Sequence, residues 1–124
     1  MDWKSFVKLH VYNFKKKIIM ENKKSISEMI KTKLINNTFF ICECCFFRGS
    51  FITEKWDRNS DIDILVISSD FEGITYHKRK ELTHYALEPI NYIIDPICLS
   101  NKEYKKIYME RKNKYIREKL VKVI

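Results

Sequence analysis

Ser60-Asp61-Ile62-Asp63-Ile64-Leu65-Val66-Ile67 is the stretch on which the fold turns. From Ile62 to Ile67 it is apolar apart from Asp63 and mostly β-branched, so it reads as a strand. Two acids open it. Side chains two apart on a strand share a face, about 7 Å apart at ~3.3 Å per residue. Asp61 and Asp63 can then converge on a hard cation, and Mg²⁺ takes one or two carboxylates together with water and substrate phosphates. Unpaired, the two acids repel each other and resist burial beside an apolar strand. On its own, Asp-x-Asp is also how a solvated strand begins.

Upstream, Phe39 to Phe47 is an almost wholly apolar, β-prone run that reads as a strand covered on both faces. Arg48-Gly49-Ser50 breaks it, and residues 51–60 read as a short helical turn plus a polar loop. Gly49 permits close backbone approach, and amides at a following helix N-terminus point outward at an anion. Ser50 adds a hydroxyl. Further upstream, Trp3, Phe6, Val7, Val11, Phe14 and Ile18 recur at helical spacing, which predicts an amphipathic helix over 3–20 with His10 packed on its stripe. Ser25 and Glu28 form a capping-box pair for a second helix carrying Ile26, Met29, Ile30 and Leu34, ended by Asn36-Asn37.

Downstream, Ser68 to Gly73 turns the chain and Thr75 to Leu87 suits a helix. Ile90 to Leu99 reads as a third strand, with Pro96 arguing for an edge position or a bulge because Pro donates no ladder bond. Asp95 lies within it among Ile93, Ile94 and Ile97, where an ionised carboxylate is costly unless paired or metal-bound. Arg48 is one such partner. Ser100 and Glu103 cap a last helix bearing Tyr104, Ile107, Tyr108, Tyr115 and Leu120. The result is an α/β (α+β) domain, a small mixed sheet of about three strands with helices packed on it. It occupies 1–124, with 1–20 a helical extension.

The chain has 124 residues, 45% of them hydrophobic, and a formal charge of +8. This is one domain's worth of core, and it excludes wholesale disorder. No apolar run approaches the ~20 residues of a membrane span, and Met1-Asp2-Trp3-Lys4 lacks a secretion signal's apolar region. A soluble, cytoplasmic protein is expected. The charge is uneven. Residues 1–36 hold nine Lys against three acids, and residues 100–124 nine basic residues against three acids. Residues 49–72 hold six acids against Lys55 and Arg58. Such a basic field attracts polyanions while the acidic island repels them, unless divalent cations fill it.

Cys42, Cys44, Cys45 and Cys98 match no zinc spacing and read as free, buried thiols. His77 with Glu81, and Lys80 with His84, can meet on one helix face; Tyr76 and Arg79 can contact a nucleotide. The basic last helix with its tyrosines suits nucleic-acid or protein contact.

Gly49-Ser50, a ten-residue spacer, Asp61-Ile62-Asp63 and the distant strand residue Asp95 together resemble the nucleotidyltransferase superfamily of DNA polymerase β, in particular the minimal nucleotidyltransferases. Ser60 before the acids, and Asp95-Pro96 leading into the capped helix, fit the same pattern. The spacer departs from it: the family often begins Arg-Ala-Arg-Gly where this chain has Phe51-Ile52-Thr53-Glu54, leaving Lys55 and Arg58 as the positive charges. The resemblance implies a polymerase β palm-like fold. It implies that Asp61, Asp63 and Asp95 are catalytic and hold two Mg²⁺ ions, with Asp95 helping to activate the attacking hydroxyl. It implies that Gly49, Ser50, Ser60, Lys55 and Arg58 bind a nucleoside triphosphate. Such proteins often act as antitoxins that modify a HEPN-type partner with AMP, so a partner protein or a homodimer is expected. The rival expectations are a non-catalytic basic module that binds nucleic acid or protein, and a degenerate member that binds nucleotide without turnover.

Overall fold

Strand β2 (Ile62–Ile67) lies between two neighbours, antiparallel to β1 (Cys44–Arg48) and parallel to β3 (Ile94–Leu99), in a computed structural model. The structure describes residues 2–110 and 118–124, and of residues 12, 15, 16, 18 and 19 the backbone alone. A two-residue strand, β4 (Val121–Lys122), pairs antiparallel with β1 and completes a mixed sheet of order β3-β2-β1-β4. The sheet therefore has four strands where about three were expected. Pro96 sits on β3, at the sheet edge, where its missing N–H costs no ladder bond.

Alternation along β2 divides the core. Ile62, Ile64 and Val66 join Ile26, Ile30, Leu34, Phe47, Phe71 and Leu87 in one buried cluster. These come from helix α1 (Trp3–Asn36), from β1 and from helix α2 (Tyr76–Leu87), so both long helices cover this face. Leu65 and Ile67 point the other way, against Leu99, Phe46, Tyr104, Ile107, Tyr108 and Leu120. That second face is covered by the helical segment α3 (Asn101–Tyr104), which runs on through a wider turn at Lys105–Met109. β1 is thus covered on both faces, as its composition requires.

Local signals place the ends of these elements. Thr75 Oγ1 accepts from the Lys78 N–H and starts α2. Ser100 and Glu103 form a complete capping box at α3. Arg79, buried on α2, donates to the carbonyls of Ile74 and Cys98 and to Glu103 Oε1 at 2.6 Å, tying α2 to that box. Arg79 is therefore a structural anchor and is not presented to a nucleotide.

Several expectations need correction. The two N-terminal helices are one, because Asn22-Lys23-Lys24-Ser25 contains neither Pro nor Gly to interrupt the ladder, and Ser25 lies inside α1. Asp2 caps it, accepting from the Ser5 N–H at 2.7 Å. Among the described side chains, the stripe of its first half meets no core. Trp3 is 76% and Phe14 65% exposed, and His10 is exposed with Phe6 edge-on at 4.2 Å. β1 begins only at Cys44, because Asn37 Oδ1 takes the Phe39 and Phe40 N–H groups in a turn. β3 begins at Ile94. The last helix stops by Met109, and Leu120 lies on the segment leading into β4; Tyr115 lies outside the described residues. Tyr104 stacks on Phe46 and Tyr108 on Tyr104, so these two rings pack on the sheet instead of offering a nucleic-acid surface. No described helix is long and apolar enough to cross a membrane.

Candidate active site

The register of the three long strands sets the site. Arg48 of β1 pairs with Asp63 of β2, and Asp63 pairs with Asp95 of β3. Strand alternation puts all three on the face that carries Leu65, Ile97 and Leu99, at the edge of that apolar cluster. Asp61, exposed one residue before β2, belongs to the same row of alternate positions. Two acids 32 positions apart in the sequence thus become neighbours because β2 and β3 run parallel and in step.

Asp63 is the electrostatic centre. Partial burial pushes its carboxyl above the ordinary value; Arg48 draws it back, while the charges of Asp95, Asp61 and Glu118 push it further up. Three other carboxylates therefore act on Asp63, and repulsion of this kind is what a divalent cation relieves. The donors are all carboxylate oxygens, the type that a hard cation takes.

The side chains as they stand are not gathered. Among the described residues no three acids, histidines or cysteines are close enough to hold a metal ion. Asp95 is 52% exposed and turned to Lys80 of α2, whose Nζ lies 3.5 Å from Asp95 Oδ1. It is neither buried nor paired with Arg48, as its apolar neighbours in sequence implied. Arg48 is bound instead by Glu118, Nε to Oε1 at 2.5 Å, and the Tyr108 hydroxyl donates to the other Glu118 oxygen at 3.2 Å.

Gly49 lies at the foot of this row. Its φ is +65°, a left-handed conformation that glycine adopts without strain. A Cβ there would collide with the Asp63 carboxylate. Two requirements thus coincide on one residue. The turn that follows is a four-residue 3₁₀ segment, Gly49–Ile52, and not the start of a longer helix. The half-buried Ser50 closes that turn, its carbonyl accepting from the Thr53 N–H and hydroxyl.

The remaining predicted residues sit on the loop before β2. Lys55 is exposed on a turn. The Ser60 hydroxyl donates to Asp57 Oδ1 at 3.2 Å, so it is engaged in shaping that loop. Arg58 lies over the Tyr92 ring, 6.0 Å from its centroid, beside a cleft of about 410 Å³. Sequence reasoning missed Lys80 and Glu118, and it gave Arg48 the wrong acid, Asp95 in place of Glu118. Glu118 is 70 residues from Arg48, and no local spacing announces such a pairing.

The other groups do not make a second site. The described chain's four cysteines are free thiols; burial pushes Cys42 up to about 12 and Cys98 up to about 11, and raises Cys45 well above its ordinary value. Glu81 accepts from the Tyr85 hydroxyl and pairs with Lys78, its charge also sensing His77, while Lys80 turns to Asp95 and not to His84.

Comparison with known proteins agrees with this architecture. Residues 45–123, from β1 through β4, match the family model described as a nucleotidyltransferase domain. The crystal structure of a candidate nucleotidyltransferase from Sulfolobus solfataricus superposes with a TM-score of 0.55 at 18% identity, over 82% of this chain and 84% of that one. No curated protein matches the chain.

Proposed function

The chain belongs to the nucleotidyltransferase domain family and is a transferase that works on a nucleoside triphosphate; from that premise we propose that it moves AMP from ATP to a hydroxyl acceptor in an Mg²⁺-dependent reaction. The observation that carries this reading is the register of β2 against β3, which makes Asp63 and Asp95 partners, with Gly49 set against the Asp63 carboxylate.

Asp61, Asp63 and Asp95 are the residues that would hold the metal, two ions in the full complement. Bound there, Mg²⁺ supplies neutralisation of the triphosphate and of the charge that develops during transfer. Gly49 leaves room for the Asp63 carboxylate at the turn, and Gly49 and Ser50 would grip the phosphates, the Ser50 hydroxyl donating to their oxygens. Asp95, the most open of the strand acids, takes the proton from the acceptor hydroxyl. The acceptor oxygen then bonds to the α-phosphorus, and pyrophosphate leaves with the bridging oxygen. Lys55 supplies positive charge at the triphosphate end, and Arg58 on the same loop contacts the nucleotide.

We place the acceptor hydroxyl on a partner protein of HEPN type in the cytoplasm. The support is the likeness of Gly49-Ser50, Asp61-Ile62-Asp63 and Asp95 to antitoxin members of the family.

The test is incubation with α-labelled ATP, Mg²⁺ and cell extract. Label enters a macromolecular product with the natural chain, and does not with Asp63→Asn or with chelator. Undiminished labelling by Asp63→Asn overturns the assignment.

A further inference from the structure

We propose that the cleft between the 57–60 turn and the 90–93 segment is a subsite for the nucleobase of the triphosphate, an inference that rests on the nucleotidyl-transfer reading. The cleft has a volume of about 410 Å³ and is lined by Arg58, Asn59, Ile90, Asn91, Tyr92 and Ile93. That lies within the size range of small-molecule sites.

Its position follows from the strands. Both lining segments lead directly into the two acid-bearing strands. Asn59 is two residues before Asp61, and Ile93 is two before Asp95. The segments are joined by the Ile62 N–H, which donates to the Ile93 carbonyl at 2.8 Å. A ligand seated here therefore adjoins the acids without occupying them.

Its chemistry is that of a base slot. The Arg58 guanidinium carbon stands 6.0 Å from the centroid of the Tyr92 ring. A planar ring stacked between them needs about 7 Å, two van der Waals contacts of roughly 3.5 Å. Arg58 is exposed and free to make up the difference. The Tyr92 side is fixed, because its ring packs against buried Trp56 at 6.3 Å, and Trp56 meets Phe51 edge-on at 5.0 Å. The backbone that carries Arg58 is also fixed. Asp57 Oδ1 accepts from the Asn59 N–H at 2.8 Å, and Asp57 and Ser60 bond each other. Asn59 and Asn91 bring amide donors and acceptors of the kind a base edge matches. Ile90 and Ile93 supply apolar contact. Aromatic and guanidinium faces bind bases through stacking.

The experiment uses the four ribonucleosides, which carry no phosphate, in metal-free buffer, followed by saturation-transfer NMR. At least one nucleoside receives saturation on its base protons from the natural chain. Tyr92→Leu, which keeps apolar bulk and removes the aromatic face, weakens that binding about tenfold. Tyr92→Phe retains it, and Arg58→Gln weakens it several-fold. If Tyr92→Leu melts early, the exposed Arg58→Gln carries the comparison. Absence of nucleoside binding, or equal binding by Arg58→Gln and the natural chain, overturns the subsite. Nucleoside binding without label transfer from ATP sinks the catalytic reading alone. Label transfer with an ATP KM that neither Tyr92→Leu nor Arg58→Gln changes sinks the subsite alone.

Discussion

The carboxylate of Asp63 lies where the side chain of residue 49 would be, were that residue anything but glycine. Gly49 is also held at φ +65°. Gly49→Ala therefore meets two penalties, and Gly73 separates them. Gly73 has φ +76° with open space where a Cβ would go. Gly73→Ala carries the left-handed strain alone, roughly 1–2 kcal/mol. Gly49→Ala carries that strain and displaces Asp63 as well. Thermal melts should show a larger loss for Gly49→Ala, and nucleotidyl transfer should vanish in it while surviving in Gly73→Ala. Equal melting losses would mean that Asp63 swings aside freely.

Asp63→Asn should abolish transfer and leave the fold at least as stable at neutral pH. Burial and the neighbouring acids hold the Asp63 carboxyl above its ordinary value of 3.8 in the folded chain. A raised folded value means that the folded chain binds this proton more tightly than the unfolded chain does. The resulting stabilisation is complete below 3.8 and is lost as pH climbs through the raised value. Above that window the ionised Asp63 weighs against the fold, and Asn removes the charge. The difference in Tm between Asp63→Asn and the natural chain should be positive at pH 7 and shrink toward zero as pH falls below 3.8. A Tm gain that grows on acidification would contradict burial and acid repulsion as its cause.

How much was legible beforehand depended on whether the signal was local. β2 was read to its ends because an apolar run between Asp61 and Ser68 has sharp polar borders. The Ser100/Glu103 box and the start of α2 at Thr75 were readable because capping is a contact of three residues. The acids were readable by type and spacing, and their adjacency followed once β2 and β3 proved parallel. The pairings that decide how those acids stand were not readable. Glu118 with Arg48, Lys80 with Asp95 and Arg79 with Glu103 join separate elements with no periodicity between them. Nor does periodicity say whether an apolar stripe finds a core. The stripes before and after residue 20 look alike, and among the described side chains only those of the second are covered.

That contrast within α1 is measurable. Ile30 is fully buried under the sheet, whereas Phe14 is 65% exposed on the same helix. Ile30→Ala removes buried methyl groups and leaves a cavity, and should cost about 2–5 kcal/mol in urea unfolding. Phe14→Ser should change stability by no more than about 0.5 kcal/mol, since no described core contact is lost. A large loss in Phe14→Ser would reveal that the arm folds back onto the domain or onto a second copy. Running Phe14→Ser at several protein concentrations separates those two cases.

Lys80 decides how readily Asp95 joins the other acids. Its ammonium is 3.5 Å from Asp95 Oδ1 and also lies over the Tyr76 ring, 5.7 Å from the centroid. Both partners of the ion pair are partly open to water, at 35% and 52% exposure, so the pair is weak, worth about 0.2–1 kcal/mol. On the proposed reading, a divalent cation at Asp61 and Asp63 would compete with Lys80 for the same carboxylate. Lys80→Met keeps an unbranched side chain of similar length and removes the competitor. Metal affinity, read by Mn²⁺ titration in the presence of ATP, should rise by up to about fivefold, the factor that the upper end of such an energy sets at room temperature. Asp95→Asn should lower it, and the double variant should match Asp95→Asn alone, because Lys80 then has no carboxylate to withhold. If Lys80→Met instead weakens metal binding, or still strengthens it in the Asp95→Asn background, Lys80 acts on the ligand directly, and competition for Asp95 is not the reason that the acids stand apart.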